Sequence, residues 1–166
     1  MFLSLNSQLL RLMMAAALFF TISAPLAQAQ TTAFRQAVAE AASRDEELAT
    51  FYREREFQGI WSDQRDAGRR NALMAAFADA AQHGLPAARY DANALMAKMR
   101  AATTPAQQGA MEVELSRLFM QYARDIQTGI LTPSSVVAEI KREVPYRSRL
   151  GTLRAFAQSN PASFLR

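Results

Sequence analysis

The chemistry open to this chain rests on few side chains. There is one histidine, His83, and there is no cysteine. Nucleophilic catalysis needs a thiol or hydroxyl within hydrogen-bond reach of a base. Without a thiol, serine with lysine remains, but neither Lys98 nor Lys141 lies in a recognisable motif. The lack of cysteine also removes disulfides, thiolate metal sites and a lipid-modified processing cysteine. One histidine, with carboxylates scattered over polar helix faces, gives no metal-ligand set at usable spacing, so neither metal nor cofactor is expected.

His83 stands in His83-Gly84-Leu85-Pro86. Glycine just past a last turn can adopt the left-handed conformation, leucine behind it can pack back, and proline stops propagation. An imidazole there can serve the free carbonyls and the negative dipole end, so His83 reads as a capping residue, not a catalytic one. Glu46 and Glu47 are adjacent, and Glu54 and Glu56 are two apart. On a helix such pairs splay, so they read as solvated charges, with Arg53 and Arg55 forming local ion pairs.

The stretch "FYREREFQGIWSD" holds the only tryptophan. Phe51 and Tyr52 continue an apolar stripe, while Phe57, Ile60 and Trp61 fall where the chain must turn back. Rings at such a corner can fill the gap between helix ends, burying roughly 150–250 Å² each. An exposed platform for sugar rings is the competing reading. A core role is expected.

These residues need helices to position them. Alanine is abundant, β-branched residues are scarce, and only six glycines and six prolines interrupt 166 residues. That balance favours an all-α fold. Phe34, Val38, Ala41, Ala42, Leu48 and Phe51 recur at helical steps over about 32–56, and Ser43-Arg44-Asp45-Glu46 fits a capping box at which the helix begins again. Further helices are expected over about 69–83, with Leu73 and Phe77 inward, and over 92–100, capped by Asp91. Thr104-Pro105 starts the longest one, whose inward stripe includes Met111, Leu115, Phe119, Tyr122 and Ile126, and Gly129 closes it. Thr132-Pro133 repeats the start signal ahead of Val136, Val137 and Ile140. A last helix spans about 149–159 with Leu150, Leu153 and Phe156. The reading is one bundle of about five to seven helices.

The N-terminus reads as a cleaved secretory signal. Arg11 precedes the apolar run 12–22, and Ala27-Gln28-Ala29 supplies the small residues a signal peptidase selects, with Pro25 breaking the helix upstream. The run is shorter than the roughly 20 apolar residues of a spanning helix. Cleavage between Ala29 and Gln30 divides the chain into a signal, 1–29, and a helical domain, 30–166. The formal charge of +4 makes nucleic acid a poor partner for an exported domain. Basic residues gather late, at Lys141, Arg142, Arg147 and Arg149. They allow a weak contact with an anionic surface, although a solvated helix face explains them more simply.

In order along the chain, "FYREREFQGIWSD", "AAQHGLPAARYDANAL", "ELSRLFMQYARDIQTGILTP" and "LRAFAQSNPASFLR" resemble the helical scaffold region of the large murein L,D-transpeptidases of Gram-negative bacteria. The resemblance covers roughly 46–165. It is carried first by Phe51, Tyr52, Arg55, Phe57 and Trp61, then by His83, Gly84, Leu85, Tyr90 and Leu95. Tyr122, Ala123, Asp125, Gly129 and Pro133 complete it. It implies a periplasmic role in peptidoglycan cross-linking.

The family's catalytic domain carries a histidine–glycine and a cysteine in an SxGC-type loop followed by arginine. Its thiolate takes an acyl group from a donor stem peptide and passes it to an acceptor. Nothing here matches that domain or the family's peptidoglycan-binding domain, and His83 belongs to the scaffold motif. The resemblance therefore implies a non-catalytic scaffold portion, C-terminally truncated, whose partner is peptidoglycan or the missing catalytic domain. The alternative is a free-standing secreted helical adaptor that binds wall polymer or an envelope protein. Oligomeric state is not readable from the sequence.

Overall fold

The computed structural model describes residues 23–130 and 147–165, with side chains from residue 28 onward. The apolar run before residue 23, the helix expected after Thr132, and Pro133, Lys141 and Arg142 lie outside the described residues.

Seven α-helices and three short 3₁₀ turns make up the described architecture, with no strand among the described residues. The helices are α1 (Ser23–Ala42), α2 (Glu46–Glu54), α3 (Ala67–Ala78), α4 (Ala92–Ala101), α5 (Pro105–Thr128), α6 (Arg149–Gln158) and α7 (Pro161–Phe164). The fold is all-α.

Helix α5 is the spine. Thr104 caps it by accepting from the Gln107 N–H at 3.2 Å, and the Gln107 side chain accepts from the Thr104 N–H at 3.1 Å. Pro105 occupies the first turn, where a missing N–H costs no hydrogen bond. Gly129, at φ 73°, ends the helix. Between these ends Val113, Leu115, Phe119 and Met120 are buried. Ile126, expected on the same stripe, is instead 43% exposed. It sits in the last turn and lines an open cleft with residues of α6 and α7.

Helix α1 makes the most extensive packing against α5, and it runs straight through Ala29 and Gln30. Pro25, expected to break a helix upstream of the cleavage site, lies within the range of α1, Ser23–Ala42. The helices approach at Gly109, where an added Cβ would stand 2.5 Å from the Phe34 carbonyl oxygen and 2.9 Å from the Ala37 Cβ. Only glycine permits that separation.

The stripe over 32–56 divides into two helices. Asp45, and not Ser43, is the N-cap of α2, its carboxylate accepting from the Leu48 N–H at 3.2 Å. Ser43 instead donates to the Glu40 carbonyl at the end of α1. The C-terminal segment then docks on α2. Arg149 pairs with Asp45 at 2.6 Å and Glu47 at 2.9 Å, and Arg154 pairs with Glu54. Glu47 and Glu54 are therefore inter-helix partners and not merely solvated charges. Arg53 and Arg55 form no ion pair among the described residues.

Two helix ends close with the same backbone device. After α3 and its short 3₁₀ extension, the Leu85 N–H reaches the Ala80 carbonyl and the Gly84 N–H that of Ala81, with Gly84 left-handed at φ 74°. After α2, the Phe57 N–H reaches the Tyr52 carbonyl and the Glu56 N–H that of Arg53. Both are Schellman closures, but the second places Glu56 at φ 52° and Phe57 at φ 58°. The imidazole of His83 is exposed and caps neither end; backbone N–H groups do that work.

Gly109→Ala tests the α1–α5 crossing. Glycine-to-alanine in a helix ordinarily stabilises by roughly 0.5–1 kcal/mol. Overpacking here should outweigh that and destabilise by about 1–3 kcal/mol, read as a lower denaturation midpoint.

Candidate functional site

The turn after α2 wraps around one buried carboxylate. Glu112, wholly buried in the middle of α5, receives the backbone N–H groups of three successive residues. Ile60 donates to Oε1 at 2.7 Å, and Trp61 and Ser62 donate to Oε2 at 3.1 and 2.9 Å. The Ser62 hydroxyl adds a bond of 2.6 Å and the Tyr52 hydroxyl one of 3.0 Å.

A short relay stands behind Tyr52. The Trp61 indole N–H can only donate, and it does so to the Ser116 hydroxyl at 2.8 Å; Ser116 and Tyr52 hydroxyls lie 2.7 Å apart. With Ser116 donating to Tyr52 and Tyr52 to Glu112, every proton points towards the carboxylate. Burial pushes the Glu112 carboxyl above its ordinary range, and the surrounding donors oppose that rise. Burial and the neighbouring Glu112 charge push the Tyr52 phenol well up. Gly59 makes the approach sterically available: a Cβ there would lie 2.6 Å from Glu112 Oε2.

This arrangement answers what the aromatic stretch does. Trp61 has no exposed surface. It stacks on Phe156 of α6 at 5.2 Å, and Phe119 stacks on the same ring at 4.3 Å. Phe51 and Tyr52 meet edge to face at 5.1 Å inside the core. Phe57 is only half-buried and lines a surface cleft together with Arg55.

The later motif residues form a second cluster. The Tyr90 hydroxyl donates to Asp125 at 2.6 Å, and Arg89 pairs with the same oxygen at 2.8 Å. Burial, followed by the bond to Asp125, raises the Tyr90 phenol. Its ring packs edge to face with Tyr122 at 5.3 Å and Phe77 at 5.0 Å. Leu85 and Leu95 are buried nearby in sequence, while Gly84 and Gly129 supply the left-handed backbone at two helix ends. His83 forms no bond within this cluster but lines an apolar cleft of about 620 Å³ together with Tyr122, Ile126, Phe164 and Leu165.

A polar cleft of about 520 Å³ opens between α1, the turn after α2 and the start of α5. Among the described residues, no three His, Asp or Glu side chains stand close enough to hold a metal ion. Arg149, one of the cations proposed for an anionic surface, is engaged by Asp45 and Glu47. Ala29 and Gln30 are exposed on α1.

Glu112 and Ser116 were not evident from sequence as partners of the aromatic stretch. Their signal was present, however: Gly109, Glu112, Ser116 and Phe119 fall at steps of three and four on one face of an otherwise apolar helix. A carboxylate there requires donors from elsewhere.

Among the described residues, seven α-helices pack around a turn latched by the Glu112 carboxylate. A protein-family model described as Scaffold domain matches residues 46–166, and the chain belongs to that family. Comparison with curated proteins and with solved structures returns no match.

Glu112→Gln turns one acceptor into a donor facing two or three N–H and O–H groups. It should cost at least about 3 kcal/mol. Trp61→Ala should cost about 3–5 kcal/mol. An unchanged melting temperature in the tryptophan variant, with loss of binding to isolated sacculi, would return Trp61 to a sugar-binding role.

Proposed function

We propose that this chain is the non-catalytic scaffold portion of a periplasmic L,D-transpeptidase that takes part in peptidoglycan cross-linking and cell-wall remodelling. The supporting observation is the match to the scaffold family over 46–166, together with the ordered signature that begins at Phe51 and ends at Pro133. The chain contains no cysteine, so the cysteine acyl transfer of the resembled enzymes requires a nucleophile outside residues 1–166.

On this reading the helices brace the catalytic domain and frame access to it. The latch at Glu112 suits such a role, because it fixes a turn by several directed bonds and leaves little freedom to its neighbours. The exported location follows from the residues before Gln30: a basic residue, an apolar run and a small-residue cleavage site.

Two measurements test the proposal. Reading the gene for about a kilobase past the Arg166 codon should reveal an in-frame histidine–glycine and an SxGC-arginine motif; this length allows for the roughly 100–200 residues of a further domain and more. A stop codon immediately after Arg166 would overturn it in favour of a secreted adaptor. Mass spectrometry of the protein from a periplasmic extract should give a chain beginning at Gln30. Recovery from the cytoplasm with residues 1–29 intact would overturn the assigned location.

A further inference from the structure

The polar cleft holds positive charge that the described structure does not neutralise. Its walls include Arg35 of α1, Arg55 and Gln58 of the turn, and Gln108 of α5. Two other arginines on the cleft are already paired, Arg65 with Asp63 at 3.0 Å and Arg69 with Asp66 at 2.6 Å. Arg69 also donates to the Ala157 carbonyl at 2.8 Å, which ties it to α6. No described residue forms an ion pair with Arg35 or Arg55. The Arg55 Nε is closed off from solvent and meets no acceptor; its guanidinium lies 5.5 Å from the centre of the Phe51 ring.

A guanidinium in that state is short of acceptors, since it carries five N–H donors and no acceptor of its own. The two glutamine side chains beside it also make no hydrogen bond with the described residues. The backbone here carries strain as well: Glu56 and Phe57, neither of them glycine, stand consecutively in the left-handed region. Non-glycine residues held there cost of order 1–3 kcal/mol each and cluster where a ligand is clamped. The equivalent closure after α3 uses Gly84 and avoids that cost.

We propose that this cleft binds a short peptide through its terminal carboxylate, with Arg55 and Arg35 holding the anion and Gln58 and Gln108 pairing with the peptide amides. A guanidinium fork matches a carboxylate in geometry. A glutamine amide offers both the donor and the acceptor that a peptide group needs. Phe34 and Phe57 supply apolar contact for a small side chain. Asp63 and Asp66 on the same cleft disfavour a phosphate dianion more than a single carboxylate, because like-charge repulsion grows with the ligand's charge. The assignment stands whether or not the chain braces a transpeptidase.

The test is titration of the purified full chain at low salt with acetyl-dialanine, its C-terminal amide, and inorganic phosphate. Binding is followed by calorimetry and by the amide resonances of Gln58 and Gly59. Millimolar binding of the free acid, at least about tenfold weaker for the amide and for phosphate, is expected. Arg55→Gln should weaken the acid by about tenfold or more. Arg35→Ala, at an exposed position, supplies a second variant that leaves the core untouched and should weaken it as well. Equal binding of acid and amide would overturn the proposal, and so would phosphate binding as tightly as the acid. Failure of the free acid to bind the wild-type chain, or unchanged affinity in Arg35→Ala, would do the same.

Discussion

The carboxylate of Glu112 is the constraint on which the rest of the structure depends. Taking an ionisable group out of water is expensive unless its lone pairs are satisfied. Here three consecutive backbone N–H groups and two hydroxyls meet it. The turn after α2 can have only one path if all of them are to reach. That path puts the Trp61 ring beside Ser116 and under Phe156. Arg69 then ties the same region to the Ala157 carbonyl. The position of α6, reached by a bond spanning 88 residues of chain, is thus set by directed bonds as well as by apolar contact.

Charge and burial divide the remaining work. Arg149 and Arg154 fasten the outer edge of α6 to α2, with partly exposed groups whose attraction is weakened by solvent and salt. The stacked rings of Trp61, Phe119 and Phe156 hold the inner edge, and burial of that size is largely indifferent to ionic strength. The outer contacts orient the helix; the inner ones retain it.

Much of the fold was legible locally. Asp91, Thr104 and Gly129 announce helix ends through chemistry confined to a few residues, and Gly84-Leu85 does the same. The helical stripes of α3 and α5 likewise identify part of the core, Leu73, Ala76 and Phe77 on the one and Met111, Leu115, Phe119 and Tyr122 on the other. What was not legible depends on partners far along the chain. Glu47 and Glu54 look like solvated charges until α6 arrives opposite them. Ile126 keeps the helical period but faces an open cleft and stays 43% exposed. Glu56 is an ordinary surface residue in sequence, and only the backbone reveals its left-handed conformation. The polar cleft is assembled from α1, a turn and the start of α5, so no single window of sequence displays it.

The close crossing at Gly109 also bears on where this module begins. Family resemblance starts at Glu46, after α1 has ended, yet Val38 and Ala42 of α1 are completely enclosed. A segment cut at the boundary of resemblance would leave one side of the spine without its cover. The portion recognisable by ancestry is therefore smaller than the portion that closes its own interior. Any exchange of this module between proteins must carry the preceding helix with it, or find another to lie in the same groove.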